Sequence, residues 1–570
     1  MGNMKIVVID SGVSFNHPSI MGGFSIDQKE KIFESFEDKI GHGTAVVDII
    51  LKNSQNVEVY VINIFQDKME CSINVLSKAL EYVYENIECN IIQISLGTYK
   101  SSKRLEEIIN KLALKQICII SAFDNEKCIS YPAAYENVIG IDVSADYKDP
   151  SLYNYIEGGI IDIQGGEIFF RTRWIKEKIN VVSGSSFYCS YIVSLVSKFY
   201  LDSYSKKNVM KKLKINATSI IYEQKYKYLS KLQIKKAVIF PFNKEIHALA
   251  AYEDLLDFEI ADYYDSRYNL KCGKRIKDIL PYCDNEKIIK DINKINWQDD
   301  FDTFICGHAK ELEKITKKQY LNDIILNCKL YGKQLYCFDN VLEIDPSFPI
   351  EKLFFPYIDE TYMPQNRFGK LRVPSIPTLA VMGTSSKQGK MTVQLALRKI
   401  LLQKGIKIGN IGTEPESPLF NFDFTFAYGY GASDNTTMAQ MVQILNEMIF
   451  EIEKKGKDFV IAGSQSGTIP YCLNNLSMIP FKSYSFLLGV QPDSVILCVN
   501  AFDSIDYVKS TITFIESVVN TKVIAIILSN IKKDKVQNQF TDETFGIPIV
   551  NLDRNCGENL FNIISKYYQS

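Results

Sequence analysis

Short apolar runs rich in Val and Ile alternate along the chain with longer amphipathic stretches. In the first part of the chain these runs are Ile6 to Ile9, Val59 to Ile62, Ile91 to Ile94, Ile117 to Ile120 and Val138 to Ile141. Nearly continuous apolar runs of this length are typical of parallel strands that helices cover on both faces. The pattern therefore predicts an α/β fold built on a parallel sheet.

The strand–helix rhythm starts afresh twice, which predicts several domains. At 570 residues the chain is too long for one hydrophobic core. A Lys- and Tyr-rich stretch, EQKYKYLSKLQIKK, follows a first α/β domain, residues 1–225, and the three prolines of YMPQNRFGKLRVPSIP indicate a linker. We predict a second α/β domain over 237–357, with strands at Ala237 to Phe240 and Phe304 to Cys306, a linker over 358–377, and a third α/β domain over 378–570, starting at Thr378.

Composition narrows the environment and the partners. The 65 basic and 67 acidic residues nearly cancel, so there is no electrostatic reason to expect nucleic acid or an anionic membrane as partner. The start, MGNMKIVVIDSG, shows no secretory signal, and the best apolar runs, such as Val495 to Val499, are too short to span a bilayer. The 13 scattered cysteines form no CxxC pair, which argues against a zinc ribbon. We expect a cytoplasmic protein with reduced thiols and no metal site; the oligomeric state stays open.

Three residues with chemical potential stand where strands end or helices begin. Asp10 ends the run IVVIDSGV, His42 precedes an apolar helical stripe in GHGTAVVDII, and Ser186 precedes another in SGSSFYCSYIV. A nucleophilic serine needs an imidazole to take its proton, and the imidazole needs a carboxylate to fix its tautomer. Each motif alone is usually a plain turn or loop. Only His17 and His42 lie in the first domain, and His17 precedes a proline in a loop-like segment, so His42 is the natural base.

Six segments, in the same order, resemble the subtilisin family of serine peptidases over residues 4 to about 200. They are IDSGVSFNHPSI, GHGTAVVDII, IIQISLG, IISAFDNE, YPAAYENVIGI and GSSF. The resemblance implies a subtilisin-like domain in which Asp10, His42 and Ser186 are the catalytic triad, an arrangement whose chain order, Asp, His, Ser, is that of subtilisins.

The same resemblance implies further site residues. Asn125 would offer its side-chain amide to the developing oxyanion, together with the backbone N–H of Ser186. Ser95, Leu96 and Gly97 would pair with an extended substrate as an added strand.

The chain departs from the family's pattern next to two of these residues. Phe187, Tyr188, Cys189 and Ser190 stand where the family has Met-Ala-Ser/Thr-Pro, which implies local repacking and a tighter cleft. Asp124 replaces the usual glycine before the oxyanion asparagine and brings a negative charge there unless its carboxylate turns away. Two interpretations stay open: an active peptidase, or a degenerate fold that binds peptides.

The second chemical signal is VMGTSSKQGKMTVQLALRKIL, a strand, a glycine-containing loop and an amphipathic helix. Gly383, Gly389 and Lys390 have the logic of a P-loop, in which backbone N–H groups wrap a phosphate and the lysine neutralises it. The loop has one residue more than the common pattern, and Met391 stands where Mg²⁺ chemistry favours Ser or Thr, with Thr392 next. The strand in DFVIAGSQSG also ends without an acidic residue. The alternative is a relic loop on a recognition scaffold.

The longer loop resembles P-loop proteins of the dethiobiotin synthetase type. Residues 237–570 resemble a family with a Rossmann-like first part and such a P-loop second part, and AVIFPFNKEIHALAAYEDLLDFEIADYYD resembles peptide maturation system proteins encoded beside clostridial bacteriocin-like precursors. Relatives of the P-loop part include an amino-acid N-acetyltransferase. The resemblance therefore implies a site for ATP, GTP or coenzyme A, with Mg²⁺ left open. Asn530 could read a base edge or cap a turn.

The fold expectation is a subtilisin-like parallel-sheet domain followed by a Rossmann-like α/β domain and a P-loop α/β domain. The functional expectation is a serine endopeptidase that needs no cofactor for proteolysis and cleaves the leader from a ribosomally made, modified, bacteriocin-like precursor peptide, with other maturation enzymes as candidate partners. The second half would position the precursor or perform a further step. Two alternatives stay open: a peptide-binding scaffold, and a general cytoplasmic protease regulated by its P-loop domain.

Overall fold

The computed structural model describes residues 3–125, 128–222, 232–280, 283–359, 362–364, 369–428, 433–475, 478–529, 540–553 and 555–569. The chain divides into two compact units. Unit 1 comprises Met1–Lys225 and Pro364–Ser375, and unit 2 comprises Tyr226–Met363 and Ile376–Ser570.

Unit 1 is an α/β layer structure. Its strands are β1 (Met4–Asp10), β2 (Ile20–Ile26), β3 (Ile32–Phe33), β4 (Val57–Asn63), β5 (Ile91–Ile94), β6 (Cys118–Ala122), β7 (Val138–Ala145), β8 (Tyr153–Glu157), β9 (Ile163–Gly166), β10 (Phe170–Arg173), β11 (Ile179–Val182) and β12 (Ser219–Tyr222). Its helices are α1 (His42–Asn53), α2 (Ile73–Asn86), α3 (Lys103–Leu114), α4 (Ser185–Val196) and α5 (Lys206–Asn216).

Among the described residues of unit 1, ten strands form one sheet in the order β12-β8-β9-β7-β6-β5-β1-β4-β2-β3, and β10 and β11 form a hairpin. Neighbours in the sheet are parallel except β2–β3 and β8–β9. Strand β1 shows why the apolar runs are unbroken. On one face, Ile6 and Val8 pack into the hydrophobic core that contains residues of α1 and α4. On the other face, Val7 and Ile9 pack into the core that contains residues of α2 and α3. Helices on both faces leave no solvated side for polar residues.

Unit 2 contains two parallel sheets. The strands are β13 (Lys236–Phe240), β14 (Glu259–Asp265), β15 (Lys290–Asp291), β16 (Thr303–Cys306), β17 (Gln334–Cys337), β18 (Leu353–Phe354), β19 (Tyr357–Ile358), β20 (Thr378–Gly383), β21 (Ile408–Gly412), β22 (Phe424–Thr425), β23 (Ser433–Asp434), β24 (Phe459–Gly463), β25 (Ser494–Val499), β26 (Lys522–Leu528) and β27 (Ile549–Asn551). The helices are α6 (His247–Ala251), α7 (Ile276–Ile279), α8 (Lys310–Thr316), α9 (Tyr320–Leu330), α10 (Lys390–Gln403), α11 (Met438–Lys454), α12 (Phe481–Val490), α13 (Ile505–Val518), α14 (Asp542–Phe545) and α15 (Cys556–Gln569).

Within the described part of unit 2, the sheet orders are β15-β14-β13-β16-β17-β18 and β22-β21-β24-β20-β25-β26-β27, and β19 pairs with β23. One hydrophobic cluster joins the two sheets, because Leu395 of α10 and the buried Phe420 and Phe422 pack with Ile305 and Tyr336 of the first sheet. The α/β fold with parallel sheets is confirmed. The second and third predicted domains lie in one compact unit, since they share this core.

The predicted linker, 358–377, is divided between the two units. Ile358 ends β19, Pro364–Ser375 belongs to unit 1, and Thr378 begins β20. The physical reason is burial: the side chains of Lys370 and Arg372 are almost fully enclosed, so this stretch packs against unit 1 and is not a solvated connector.

Candidate active site

Asp10 and His42 meet at the carboxyl edge of the unit 1 sheet. Asp10 is the last residue of β1 and fully buried, and His42 is the first residue of α1. The His42 Nδ1 atom lies 2.8 Å from Asp10 Oδ1. Burial lowers the pKa of His42, but the charge of Asp10 and its hydrogen bond outweigh burial, so the pKa of His42 is raised above its ordinary value of 6.5. The pair has the geometry that fixes an imidazole with Nε2 directed away from the carboxylate.

Asp38 anchors the start of α1, and no sequence motif pointed to it. It is buried, and its carboxylate accepts hydrogen bonds from the backbone N–H groups of Ile40, Gly41 and Thr44 and from the Ser11 hydroxyl. Its charge also contributes to the raised pKa of His42. A carboxylate at a helix N-terminus satisfies N–H groups that have no partner within the helix. The available signal was the spacing in FEDKIGHGT, an acidic residue four positions before the histidine.

Ser186 lies at the start of α4, as its second residue, and is 8% exposed. Its hydroxyl donates to the backbone carbonyl of Ser95 at 3.2 Å. Nearby, Gln93 donates to the Ser95 and Ser190 hydroxyls at 3.0 and 2.7 Å. Strand β5 and helix α4 are thus tied together beside the predicted nucleophile. In this conformation the proton of the Ser186 hydroxyl is directed to the Ser95 carbonyl.

Asn125, the predicted oxyanion-hole residue, is held against the residue that precedes Ser186. Its Oδ1 accepts from the backbone N–H of Ser185 at 3.0 Å and from the Ser185 hydroxyl at 2.9 Å. Because the oxygen is engaged by these donors, the Nδ2 amino group is the end left for an acceptor on a ligand. Asp124 accepts from the Tyr99 hydroxyl at 3.1 Å, so its carboxylate is engaged by a neutral donor.

The predicted substrate strand continues β5 beyond its last hydrogen-bonded residue. Ser95 is buried, Leu96 is half-buried and Gly97 is exposed. The following residue, Thr98, exchanges backbone hydrogen bonds of 2.8 Å with Tyr131. The structure therefore brings Ser95 to the nucleophile and leaves Gly97 open to solvent, as an added substrate strand needs.

The bulky residues after Ser186 are accommodated by repacking. The Phe187 ring lies 4.9 Å from the His42 ring, centroid to centroid, and tilts against it. Tyr188 is fully buried and donates to the carbonyls of Pro150 and Leu152. The other histidine of this unit is His17, whose Nδ1 atom accepts from the backbone N–H of Ser19 at 3.2 Å. His17 thus holds a turn, which agrees with the prediction of His42 as the base.

The P-loop residues of unit 2 lie between β20 and α10. Gly383 ends the strand, Gly389 has a left-handed backbone with φ 83°, and Lys390 is the first residue of the helix. Lys390 is buried and its Nζ donates to the carbonyls of Ser385 and Ser466 at 2.9 and 3.0 Å. Burial lowers the pKa of this lysine.

Met391 and Thr392 differ in their surroundings. Met391 packs in the hydrophobic cluster between the two sheets of unit 2, and Thr392 is half-buried. The lysine and helix start fit a phosphate. The thioether at position 391 supplies no oxygen for Mg²⁺, which prefers hard oxygen ligands. Asn530 lies outside the described residues.

A cavity of about 820 Å³ opens beside the P-loop. Its lining includes Lys390, Glu414, Glu416 and His308, so both sheets of unit 2 contribute. Burial raises the pKa of Glu414, and burial together with the neighbouring Glu414 raises the pKa of Glu416 well above its usual range. The volume is that of a pocket for a cofactor-sized ligand.

The sequence patterns did not single out His308, which lines the cavity, or its hydrogen-bond partner Asp339. His308 lies just after β16, and its Nδ1 is 3.1 Å from Oδ1 of Asp339, which lies just after the neighbouring strand β17. Both follow carboxyl ends of adjacent parallel strands in FICGH and LYCFD. That signal could have found them, because such ends meet at one edge of a sheet.

A strand-end aspartate, a helix-start histidine and a helix-start serine on a parallel sheet define unit 1 as a subtilisin-type serine peptidase domain, and unit 2 carries a P-loop. Residues 2–212 match the model of the Subtilase family, and residues 368–561 match a domain of unknown function (DUF1611_C) described as a P-loop domain. The two matches are consistent with a fusion of a subtilase domain and a P-loop domain.

Two curated bacterial proteases are similar to part of this chain. The minor extracellular protease Epr of Bacillus subtilis (strain 168) is 30% identical over 152 residues, which is 24% of this chain and 23% of that protein. Subtilisin E of the same organism is 27% identical over 156 residues, 24% of this chain and 40% of that protein. The chain therefore spans well under half the length of these relatives.

Two further similarities are more distant in sequence. Thermitase of Thermoactinomyces vulgaris is 20% identical over 250 residues, which covers 41% of this chain and 88% of that protein. A crystal structure of a cold adapted subtilisin-like serine proteinase covers 37% of this chain and 81% of its own, with 16% identity and a TM-score of 0.33. In the described residues, no helix is both long and apolar enough to cross a membrane.

Proposed function

We propose that this protein is a serine endopeptidase in which Ser186 is the nucleophile, His42 the general base and Asp10 the residue that orients and stabilises His42. The observation that carries the proposal is the 2.8 Å contact between His42 Nδ1 and the buried Asp10 carboxylate, at the sheet edge where Ser186, the second residue of α4, hydrogen-bonds to Ser95 just beyond β5. A surface histidine has no need of a fully buried carboxylate partner, whereas a general base does.

In this mechanism the Ser186 hydroxyl leaves the Ser95 carbonyl when substrate binds and gives its proton to His42 Nε2. The Ser186 oxygen then attacks the scissile carbonyl carbon and forms the tetrahedral intermediate. Asn125 Nδ2 and the Ser186 backbone N–H donate to the negative oxygen. His42 returns the proton to the leaving amine, and water later hydrolyses the acyl-enzyme.

The proposed substrate is the leader region of a ribosomally made, modified precursor peptide, cleaved in the cytoplasm. The similarity of residues 237–265 to peptide maturation system proteins supports this choice. An exposed Gly97 beyond β5 supports an extended peptide as the bound form, since extended peptides add to open strand edges.

Replacing Ser186 with Ala in the full-length chain tests the peptidase. We expect cleavage of fluorescein-labelled casein, and of a co-encoded precursor peptide, to fall by at least about 10³-fold, because the covalent step is lost. Ser183→Ala, which changes a half-buried serine of the same segment, is the matched control and should retain activity. Equal cleavage by Ser186→Ala and the unchanged protein would exclude the triad.

The rival function is a peptide-binding module with a dead triad. The hydrogen bond from Ser186 to Ser95 favours it, because this contact directs the hydroxyl proton to a carbonyl and not to a base. A fluorophosphonate probe that labels activated serines separates the two functions. Labelling of the unchanged protein but not of Ser186→Ala supports the peptidase, and precursor binding without labelling supports the module.

For unit 2 we propose a binding site for the phosphates of ATP, GTP or coenzyme A. Support comes from the buried Lys390 at the start of α10 and the adjoining cavity. When bound, a nucleotide or coenzyme would supply phosphoryl or acyl chemistry; Lys390 and the helix start would hold its phosphates, and Mg²⁺ would find no hydroxyl at position 391.

Titration of ATP, GTP and coenzyme A against the full chain tests this site by thermal shift. We expect one of them to raise the melting temperature of the unchanged protein and not that of Lys390→Ala. Lys404→Ala, at the far end of the same helix, should respond like the unchanged protein. Equal shifts in the unchanged protein and Lys390→Ala would refute the phosphate site.

A further inference from the structure

A short segment from beyond position 360 packs against the oxyanion side of the subtilase domain. We call residues 369–375 the strap; it lies in unit 1, although the chain up to Met363 and the chain from Ile376 onward belong to unit 2. The Leu371 carbonyl accepts from the Ile129 N–H at 2.8 Å, and the Ser375 hydroxyl oxygen accepts from the Ser101 N–H at 3.1 Å. The strap is therefore bound by backbone groups on either side of Asn125 in sequence.

Lys370 is the most deeply buried side chain of the strap, at 2% exposure. Its Nζ lies 2.7 Å from Oδ1 of Asp142 on β7, whose side chain is 4% exposed. The same Nζ donates to the backbone carbonyl of Asp124 at 3.2 Å and lies 5.5 Å from the centre of the Phe123 ring. A charge buried this far is tolerated only with such partners.

The Asp124 carbonyl belongs to the peptide group that leads into Asn125. Because a peptide group is planar, fixing its carbonyl also fixes the N–H and the Cα of the next residue. The other end of Asn125 is fixed by Ser185, which donates twice to Oδ1. Asn125 is thus held from its backbone by Lys370 and from its side chain by the residue before the nucleophile.

We propose that Lys370 is a positioning residue of the oxyanion hole: through the Asp124 carbonyl it sets the position from which Asn125 donates to the reacting carbonyl. The inference rests on the proposed peptidase function. The domain formed by residues 1–225 therefore lacks one part of its active site. The strap, which follows Asn125 by about 245 positions in the chain, supplies this part. Oxyanion-hole donors act only when held in place before the reaction, and a displacement of about 1 Å can lower a rate by about 100-fold.

Unit 1 contains a matched control for this buried lysine. Lys206 Nζ lies 2.9 Å from Asp162 and donates to the Val138 carbonyl at 2.6 Å, so it too bridges a carboxylate and a backbone carbonyl. Asp162 is buried, but the pair contacts neither Asp124 nor Asn125 through the hydrogen bonds described. The Lys206 side chain is 23% exposed, against 2% for Lys370. Lys206→Met therefore removes a less buried ion pair, between α5 and the residue before β9, without the contact to the oxyanion loop.

The experiment measures kcat and KM of full-length variants on fluorescein-labelled casein. We expect Lys370→Met to lower kcat by about 10- to 100-fold with KM changed by less than about threefold, because a positioned donor acts on the transition state. Lys370→Arg, which keeps the charge, should recover part of kcat, and Lys206→Met should leave kcat within about threefold. In an Asn125→Ala background, Lys370→Met should lower kcat by less than about threefold more, because both changes remove one function.

Equal losses of kcat from Lys370→Met in the presence and absence of Asn125 would overturn the proposal, as would equal losses in Lys370→Met and Lys206→Met. If Lys370→Met does not fold, Asp142→Asn, which keeps an acceptor, is measured in its place with the same expected pattern.

Hydrogen exchange gives a readout that needs no peptidase activity: the Ile129 amide should exchange at least about tenfold faster in Lys370→Met than in Lys206→Met. An unchanged Ile129 amide refutes the anchoring, whereas casein cleavage that does not depend on Ser186 refutes only the peptidase.

Discussion

At the scale of single residues, the electrostatics of His42 determine where on the pH scale the triad can work. His42 is a base only while neutral, and its pKa is raised above 6.5 because Asp10 outweighs the effect of burial. Its protonated form therefore persists to higher pH than that of an ordinary histidine. We expect kcat/KM for casein to rise about tenfold per pH unit at low pH and to level off only above pH 6.5, measured from about pH 5 to about pH 9.

Asp10→Asn removes the interaction that raises this pKa. Burial, the largest single effect, is then opposed only by the smaller effect of the Asp38 charge and lowers the pKa of His42. The acid limb of the profile should therefore move to lower pH, while kcat falls by about 10³- to 10⁴-fold as tautomer control is lost. Asp146→Asn, at a fully exposed position, should leave the limb where it is. An acid limb at the same pH in the unchanged protein and in Asp10→Asn would contradict the assignment of His42 as the titrating base.

The residues that sequence could and could not predict differ in how local their signals are. Asp10, His42 and Ser186 stand in short motifs at strand ends and helix starts, and the structure places the first two in contact. Lys370 has no local motif: its importance comes from burial against Asp142 and Asp124, more than 220 positions away, and no pattern along the chain encodes that distance.

At the scale of elements, α4 is fixed against the sheet by a tight contact between Gly165 of β9 and the ring of Tyr188. A Cβ at position 165 would lie 2.0 Å from Cε1 of Tyr188, which is closer than real atoms come. Tyr188 is held by hydrogen bonds from its hydroxyl, so it cannot simply swing aside. The large side chain of Tyr188 thus requires a glycine at position 165, about twenty positions earlier in the chain.

Gly165→Ala should therefore destabilise unit 1 by about 1–3 kcal/mol through overpacking, measured by urea unfolding of the full chain. The double variant Gly165→Ala with Tyr188→Leu should be more stable than the sum of the single effects predicts, because the smaller side chain removes the clash. Strict additivity of the two changes would show that the contact between them does not limit the packing.

Secondary-structure elements also differ in how clearly the sequence predicts them. Strands β1, β4, β5, β6 and β7 are buried on both faces and were predicted by their apolar runs. The segment that contains the strap was predicted as a linker from the three prolines of YMPQNRFGKLRVPSIP. Lys370 and Arg372 of the strap are instead buried. Asp142 compensates the charge of Lys370, and the Leu371 carbonyl accepts from the Ile129 N–H.

At the scale of the whole molecule, unit 2 is one body although its sequence contains two strand–helix rhythms. The hydrophobic cluster around Phe420 includes residues of both sheets, and the Tyr336 hydroxyl donates to the Pro415 carbonyl at 2.8 Å. The cavity is lined from both sides for the same reason. The alternation of strands and helices along the sequence could predict two sheets. It could not predict their common core, because side chains that face solvent and side chains that face another sheet recur with the same spacing along an element.

A shared core predicts that the two sheets unfold together. Phe420→Ala removes a fully buried ring on the P-loop side and should destabilise unit 2 by about 3–5 kcal/mol. The chain has two tryptophans, so in a Trp174→Phe background the fluorescence comes from Trp297, which stacks on Phe304 of the first sheet. We expect the urea midpoint of Trp297 fluorescence to fall in Phe420→Ala.

The control is Leu473→Ala, which changes an exposed side chain and should alter stability by less than about 0.5 kcal/mol. A Trp297 midpoint that ignores Phe420→Ala would mean that the first sheet folds without the second, and that the cavity wall bearing His308 exists independently of the P-loop.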